Sequence, residues 1–455
     1  MNNKAKFGEV FTPPYFVPQF FQQIPEDAFL QKDWKWLDVG AGRGVFAFLL
    51  IDKLMESLQV FFPNKQERQQ HILENMIYVI EINDEHIPFL QKNFKNVIHQ
   101  DYLTYQSIHF NVIFGNPPFN CNGLLKVPTN QILSKKQDGK AVWKDFVYHS
   151  LSLLEPKGFL CLITPTLWMK PTKDKIHNTL YSYALLKVKC FTNTETNKCF
   201  ENEAQTPTSI WCLQKDSPKN VVEIYDKQVE DYIEYPLTES LPVFGVSILK
   251  KVMSHLKNAG PLKVKKTNLP AKHNSLQVQP DSIHKYPNIS TCILAKEEAE
   301  LVIHYSKEPC SFYKQPKLIL AHGMYGFPFF DKEGSYGISN RDKYVILDKS
   351  NYDFQRISDF LSTYTALYLF ECMRYRMKYL EKYIFDYIPD ISNLQDFPYL
   401  INDETIANYF DFSKQEIDYI QNLHKKNYSF KVNTPAKYAQ KNMPTKHFEN
   451  KSSML

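Results

Sequence analysis

Short apolar runs alternate with helical patterns along the first half of the chain. Each run is followed by residues that can bind a ligand. A helical pattern extends from Val45 to Leu54, after the turn that ends the first run, and an amphipathic helix begins at Trp143. Strands that alternate with helices predict an α/β fold. The predicted strands cover residues 36–39, 76–81, 97–100 and 110–114.

The first predicted strand ends in a glycine-rich turn, Gly40-Ala41-Gly42-Arg43-Gly44. Glycine lets a ligand lie against the backbone because it has no Cβ. The carboxyl ends of strands are where α/β sheets bind nucleotides. The chain has 14 glycines in 455 residues, so three within five positions are unlikely to be incidental. The spacing differs from the dinucleotide fingerprint G-x-G-x-x-G, and the turn alone is weak support for a cofactor site.

The second and third predicted strands end in acidic residues, Glu81 and Asp101. A carboxylate at the end of the second strand can accept two hydrogen bonds from a ribose diol. A carboxylate at the end of the third strand can accept from an adenine amino group. Taken singly, each acid is better explained as a helix cap or a solvated charge, because Asp and Glu are mostly exposed. Their order at successive strand ends favours a nucleotide site.

The fourth strand leads into Asn116-Pro117-Pro118-Phe119, which follows Gly115. The two prolines fix φ near about −65° and make this loop rigid. A rigid loop can direct two acceptors, the Asn116 side-chain oxygen and the Pro117 carbonyl, toward one external amino group. Phe119 adds a flat face for stacking. This combination suits the exocyclic amine of adenine or cytosine, whereas a lone Pro-Pro more often marks an ordinary turn.

With these motifs in this order, the chain resembles the gamma class of S-adenosylmethionine-dependent DNA adenine-N6 methyltransferases. The segment Phe7–Pro14 is similar to the opening motif of that class. The resemblance implies S-adenosylmethionine as cofactor and Asn116, Pro117, Pro118 and Phe119 as the catalytic motif. It implies that Thr12, Pro13, Asp38, Gly40 and Gly42 surround the methionine part, that Glu81 binds the ribose, that Ile82 packs on the cofactor adenine and that Asp101 accepts from its amino group.

The resemblance covers roughly residues 7–215, through Trp143–Phe146, Gly158–Pro165 and Pro207–Leu213. It implies that Phe200 stacks on the flipped target base together with Phe119. A core position for Phe200 is equally consistent with the sequence, since Phe is usually buried. One departure is the long interval before Glu81, where residues 52–75 predict an inserted helix or a lengthened first one.

The family's fold implies a Rossmann-like class I methyltransferase domain with a mostly parallel seven-stranded sheet, followed by a C-terminal α+β target-recognition domain. We expect the catalytic domain over 1–220, the recognition domain over 221–440 and a basic tail over 441–455. The polar, acidic segment from Gln214 to Pro242 is interpreted as a linker. Because the cofactor motifs begin at residue 8, no fused nuclease is expected.

Candidate DNA contacts lie in the second half of the chain. Between Pro316 and Val345, aromatic and basic residues alternate with glycines, a composition that suits nucleic acid or an ordinary β-meander. The segment Leu369–Ile384 reads as a helix with a basic flank or a solvated face. The lysine-rich tail adds either non-specific DNA affinity or solubility. The DNA-binding candidates are Tyr325, Arg341, Arg374 and Arg376.

Composition agrees with an intracellular enzyme. Hydrophobic residues make up 43% of the chain, no apolar run reaches the length of a membrane span and the net charge of +5 suits a polyanionic partner. The eight cysteines have no metal-ligand spacing, so we expect free thiols in a reducing, cytoplasmic compartment and no metal site.

The sequence therefore predicts a restriction-modification DNA methyltransferase that methylates N6 of a flipped adenine in duplex DNA. It would be the protective partner of a separate cognate restriction endonuclease or an orphan modification enzyme. N4-cytosine methylation of DNA and amino-methylation of RNA use the same amine chemistry and stay open. A catalytically silent DNA-binding subunit is the alternative from another class, although Asp38, Glu81, Asp101 and Asn116 are all intact.

Overall fold

A computed structural model describes the chain as two compact units. The first comprises Met1–Asp226, Glu230–Val243 and Tyr375–Met377, and the second comprises Lys227–Val229, Phe244–Arg374 and Lys378–Leu455. The residues that the structure describes are 6–121, 140–201, 204, 206–267, 276–294, 299–321, 328–339, 343–376, 380–425 and 439–440.

A nine-stranded sheet with the order β11-β10-β8-β9-β7-β4-β1-β2-β3 forms the centre of the first unit. Two short strands, β5 and β6, pair separately with each other. The strands are β1 Trp36–Val39, β2 Ile77–Glu81, β3 Asn96–His99, β4 Phe110–Gly115, β5 Asn120–Cys121, β6 Lys140–Ala141, β7 Leu154–Pro165, β8 Ala184–Phe191, β9 Thr208–Gln214, β10 Val221–Asp226 and β11 Asp231–Pro236.

The pairing within this sheet confirms the predicted Rossmann-like methyltransferase fold. Strand β1 runs parallel to both β2 and β4, and the parallel ladder continues through β3 on one side and β7 on the other. Strand β9 is antiparallel to β7 and β8, between which it lies. The seven strands from β8 to β3 form the mostly parallel seven-stranded sheet that was predicted, and β10 and β11 extend it. The carboxyl ends of the parallel strands meet at one edge, where α/β sheets bind ligands.

Over residues 52–75 the structure has both the lengthened first helix and the inserted helix that the sequence offered as alternatives. The helix after β1 is lengthened to Val45–Ser57, and an additional helix, Lys65–His71, follows it. The Asn64 side chain caps that additional helix by accepting from the amides of Gln66 and Glu67. The other α-helices of this unit are Val17–Phe21, Ile87–Asn93, Trp143–Leu153, Ile176–Tyr181 and Asn193–Cys199.

The linker predicted over Gln214–Pro242 is wrong. Strands β10 and β11 form an antiparallel hairpin there, and β10 extends the sheet by pairing in parallel with β8. Val222 and Ile224 are buried on alternate positions of β10, while Glu223 and Tyr225 on its other face are partly exposed. A strand with one solvated face needs only alternate apolar residues, so its polar composition conceals it.

Aromatic side chains from the N-terminal segment form much of the core beside the sheet. Phe16, Phe20 and Phe29 are fully buried, and the Phe29 ring stacks on Trp36 of β1 with centroids 5.1 Å apart. Burying one such side chain contributes roughly 1.5–3 kcal/mol. This packing fixes the segment that precedes β1 against the sheet of the first unit.

The second unit combines two small sheets with helices, as expected for an α+β domain. One sheet has the order β12-β18-β15-β16 and the other β17-β13-β14-β19. Their strands are β12 Lys265–Lys266, β13 Tyr286–Leu294, β14 Ala299–Ser306, β15 Lys317–Ala321, β16 Phe329–Asp331, β17 Gly337–Ile338, β18 Lys343–Ile346 and β19 Ala439–Gln440. The α-helices are Val246–Met253, Leu256–Ala259, Asn351–Leu361, Tyr364–Cys372, Asp403–Tyr409 and Lys414–Gln421. No helix in the described part of the chain has the length and apolar character needed to cross a membrane.

Candidate cofactor and catalytic site

The glycine-rich turn connects β1 to its following helix at the ligand-binding edge of the sheet. Gly40, Gly42 and Gly44 have φ of 66°, 56° and 75°, a region that residues with a Cβ rarely adopt. The amide of Ala41 donates to the Ile80 carbonyl over 3.1 Å, which attaches the turn to β2. The backbone of the turn is therefore closely packed and presents no side chain at its glycines.

Glu81 fixes the turns after β1 and β2 to each other. Its Oε2 accepts from the amide of Gly42 at 2.7 Å, and its Oε1 accepts from the amides of Ile82 at 2.9 Å and Asn83 at 2.7 Å. Hydrogen bonds to a carboxylate are stronger than those between neutral groups. Glu81 therefore shapes the turns in addition to its predicted contact with a ribose, which stays a prediction.

Asp38, at the end of β1, is a buried carboxyl with 1% exposure. Neither of its oxygens has a hydrogen-bond partner among the described residues. Burial, helped by the negative charge of Glu81, raises the pKa of Asp38 to about 8. The Ala47 amide opposes this rise, although it lies outside hydrogen-bonding geometry. A buried carboxyl without a partner is costly, and a cationic ligand group would remove that cost.

Two further predicted cofactor contacts differ in their surroundings. The Ile82 side chain follows Glu81 and remains 42% exposed, so it offers an apolar surface at the site. Asp101 follows β3 and is exposed, and its Oδ1 caps the short 3-10 helix Tyr102–Thr104 by accepting from the Leu103 amide at 3.0 Å. The structure thus shows the capping role for Asp101, and its contact with a cofactor amino group stays a prediction.

The loop after β4 places Asn116 half-buried next to the N-terminal segment. The Asn116 Nδ2 donates to Thr12 Oγ1 over 3.1 Å, although 104 residues separate the two. Pro117 is buried, and the carbonyl of Phe119 accepts from the Val142 amide at 3.1 Å. The half-buried Phe119 ring packs partly against the hydrophobic core. The loop is therefore held on both sides of its two prolines.

The opening segment extends across the turns after β1, β2 and β4. Gly8 lies so close to the loop after β4 that a Cβ there would come within 1.8 Å of the Asn120 carbonyl oxygen. Glu9 contacts the His86 ring, in the turn after β2. The Phe11 ring is 48% exposed and forms an edge-to-face pair with the His86 ring, the centroids 6.1 Å apart. Sequence reasoning missed His86 and Phe11, because their roles arise from contacts between distant segments.

Phe200 belongs to the core in this structure. It is 2% exposed, and its ring centroid lies 5.4 Å from that of Phe16. This packing favours the core interpretation over stacking on a target base. The neighbouring Tyr15 is instead 69% exposed, and its hydroxyl donates to the Cys199 carbonyl at 3.4 Å.

The predicted DNA contacts are only partly described. Tyr325 and Arg341 lie outside the described residues, as does the basic tail 441–455. Arg374 forms an ion pair with Glu371 at 2.9 Å, and Arg376 is exposed. The helix predicted over Leu369–Ile384 is wrong, because Tyr364–Cys372 ends before both arginines and a 3-10 helix, Lys382–Asp386, follows. Their contact with DNA stays a prediction.

Residues 40–200 match the family described as Eco57I restriction-modification methylase. No curated protein matches the sequence. Three solved structures are similar in fold. The first is the type I restriction enzyme EcoKI M protein (14% identity, TM-score 0.37, 48% of each chain covered). The second is a modification subunit of a putative type I restriction enzyme from Vibrio vulnificus YJ016 (15%, 0.37, 48% of this chain and 47% of that one). The third is the type IIG restriction endonuclease BpuSI (11% identity, TM-score 0.42, 92% of this chain and 66% of that one covered).

The chain spans about half the length of the first two of these proteins. Because every TM-score is below 0.5, these similarities carry no argument about activity. The family match includes the glycine turn, Glu81, Asp101 and the Asn-Pro-Pro-Phe loop. It confirms the predicted resemblance to methylases of restriction-modification systems over these residues.

Proposed function

We propose that this chain is a site-specific DNA methyltransferase that transfers a methyl group from S-adenosylmethionine to N6 of an adenine in duplex DNA. The observation that supports this most is the position of Asn116. It lies at the end of β4, next to the glycine turn in the sheet, with one end of its side-chain amide bonded to Thr12. An adenine inside a duplex cannot reach such a loop, so the proposal includes flipping of the base, at a cost of a few kcal/mol.

The residues around the glycine turn fit the cofactor. The buried Asp38 carboxyl, which has no hydrogen-bond partner among the described residues, suits the ammonium of the methionine part. Bound there, S-adenosylmethionine supplies an electrophilic methyl group on a sulfonium. The proposed cofactor contacts are Thr12, Pro13, Asp38, Gly40 and Gly42 around the methionine part, Glu81 at the ribose, and Ile82 and Asp101 at the adenine.

Asn116 and Pro117 are proposed to act on the acceptor amine. The lone pair of an aromatic amine is delocalised into its ring, which makes the nitrogen a poor nucleophile. The Asn116 Oδ1 and the Pro117 carbonyl would accept hydrogen bonds from the two N–H groups of this amine. These bonds favour a pyramidal nitrogen, whose lone pair is no longer delocalised into the ring and can attack the methyl group. The same contacts orient the amine, and orientation alone can lower a barrier by several kcal/mol. Phe119 is proposed to stack on the base.

The second unit is proposed to recognise the target sequence in duplex DNA, and a separate restriction endonuclease is the proposed partner in the cell. The net charge of +5 favours a polyanionic ligand. N4 of cytosine presents the same pair of N–H donors as N6 of adenine, and so do the corresponding bases of RNA. The substrate experiment below therefore includes all of them.

Methyl-labelled S-adenosylmethionine would be incubated with the purified chain and with genomic DNA, and in parallel with total RNA. The products would be digested to nucleosides and separated. We expect label in N6-methyldeoxyadenosine. Label in N4-methyldeoxycytidine or only in RNA nucleosides would overturn the proposed substrate.

Asn116→Ala is the matched control for this experiment. It removes one acceptor from the amine and leaves the glycine turn intact, so turnover should fall by about 10²–10³-fold, as for a lost transition-state contact. Cofactor affinity, measured by calorimetry, should stay within about twofold. Wild-type protein that binds cofactor but labels no nucleic acid would support a silent DNA-binding subunit instead.

A further inference from the structure

We infer that Thr12 is a positioning residue that orients the Asn116 amide for catalysis, beyond any contact with the cofactor. This inference rests on the proposed function, because it concerns the same methyl transfer. The observation is the bond of 3.1 Å from Asn116 Nδ2 to Thr12 Oγ1. It joins the opening segment to the catalytic loop.

A side-chain amide is useful to the amine only in one orientation. Its oxygen accepts N–H groups, whereas its NH₂ end would face the donors of the target amine. Thr12 holds one end of the amide and so fixes the plane of the group. The target amine offers only N–H donors on this side and therefore selects the form with Oδ1 toward it. That form is the one in which Nδ2 donates to the threonine.

Thr12 is well placed for this task because its own position is fixed. Thr12 is buried, with 6% exposure. On its N-terminal side, the Gly8 backbone lies against the Asn120 carbonyl, which leaves no room for a Cβ on Gly8. Gly8 has a φ of 71°, which also favours glycine. On the other side, Phe16 is fully buried, its ring centroid 5.1 Å from that of Phe191. The hydroxyl therefore belongs to a segment fixed at both ends.

Loss of this bond should affect turnover more than binding. Without the hydroxyl, the Asn116 amide can rotate about χ2, a torsion that is only weakly restricted in asparagine. Misplacing a catalytic group by about 1 Å can cost about 10²-fold in rate. A contact made only to the cofactor would instead weaken cofactor binding and leave turnover at saturation unchanged.

The test compares Thr12→Val with Thr12→Ser in the full chain. Valine has the shape of threonine without the hydroxyl, and serine keeps the hydroxyl. We expect Thr12→Val to lower kcat, measured at saturating cofactor, about 10- to 100-fold, beyond any loss of cofactor affinity, with DNA Kd within about threefold of wild type. Thr12→Ser should restore most of kcat. An unchanged kcat in Thr12→Val, or a loss confined to cofactor affinity, would overturn the inference.

A second measurement does not depend on activity. The side-chain amide protons of Asn116 would be assigned by nuclear magnetic resonance, with Asn116→Asp as the assignment control. Slow exchange with solvent in wild type and Thr12→Ser, and fast exchange in Thr12→Val, are expected. Equal exchange in all three proteins would reject the bond. If wild type transfers no methyl group, the proposed function fails, and this comparison still decides whether Thr12 holds the Asn116 amide.

Discussion

Two buried carboxyl groups, one in each unit, have opposite surroundings. Asp331 in the second unit accepts from Lys317 Nζ at 2.5 Å and from the amides of Ser335 at 2.8 Å and Tyr336 at 3.0 Å. Asp38 in the first unit is equally buried, yet neither of its oxygens has a hydrogen-bond partner in the described part of the chain. A buried carboxyl with a full set of partners stabilises the fold, whereas a buried carboxyl without partners in the described part of the chain suits a ligand.

The ammonium of Lys317 completes the contrast. Its side chain is fully buried, and it also donates to the carbonyls of Phe312 at 3.0 Å and Gln315 at 3.1 Å. Burial lowers the pKa of Lys317, and the charge of Asp331 opposes that shift. Removing one partner of such a pair leaves the other buried and unpaired. The two sites should therefore respond to mutation in different properties.

The largest expected effect is on stability, at Lys317. Lys317→Met should destabilise the protein by about 3–5 kcal/mol, because Asp331 would remain buried without its cation. Denaturant unfolding followed by circular dichroism measures this. Replacing both residues by apolar ones should recover much of the loss, since hydrophobic substitution of a buried pair is often neutral. A loss below about 1 kcal/mol would mean that the pair is solvated in solution.

At Asp38 the expected effect is on ligand binding. Asp38→Asn should weaken cofactor affinity by about 10- to 100-fold, the equivalent of a hydrogen bond to a charged group. Calorimetric titration measures it. Stability should move the other way: an acid with a raised pKa carries a penalty that is absent below pH 3.8 and grows as pH rises toward about 8. Without cofactor, the Asp38→Asn variant should therefore have a higher melting temperature than wild type at pH 7. A lower melting temperature would contradict the contrast drawn between Asp38 and Asp331.

The pH dependence of cofactor binding should also differ between wild type and the Asp38→Asn variant. Because its pKa is about 8 in the free protein, the carboxyl must lose a proton before it can accept from an ammonium. Cofactor affinity should therefore rise by up to about tenfold per pH unit between pH 6 and 8 and level off above that range. The Asp38→Asn variant provides the reference, since the titration of the cofactor itself is common to both proteins. Parallel profiles would show that Asp38 does not titrate on binding.

The smallest expected effect is at the exposed Asp101. Asp101→Ala should weaken cofactor affinity by about three- to tenfold, the range of a single hydrogen bond. The same change removes the cap of the 3-10 helix Tyr102–Thr104. Asp101→Asn is the control, because asparagine caps as well as aspartate. If Asp101→Ala binds cofactor as wild type does, Asp101 is a cap only.

The elements around the site were predictable because each carries its signal locally. The strand that contains Asp38, the glycine turn and the strand before Asn116 were predicted from consecutive residues, and the structure has all three. The bond between Thr12 and Asn116 was not, since it joins segments that meet only after the sheet forms. The bond from the Gly42 amide to Glu81 was missed for the same reason.

The two wrong elements have different causes. At β10 and β11, the solvated face carries polar residues and hides the strand pattern. At Leu369–Ile384, the pattern of apolar residues suits a helix, but Tyr375 is fully buried and its hydroxyl donates to the Leu241 carbonyl at 2.6 Å. This tertiary contact takes the chain out of the helix at Cys372. Propensity is a weak guide where such contacts decide.

The bonds from Glu81 to Gly42, Ile82 and Asn83 have a consequence for inhibitor discovery. They hold both turns in place without help from a ligand, so the binding surface need not be assembled by the whole cofactor. Small fragments that resemble only the nucleoside or only the amino acid should each find a formed half-site. Joining two such fragments with a stiff connector should then raise affinity mainly through effective concentration, since binding costs little conformational entropy in the protein.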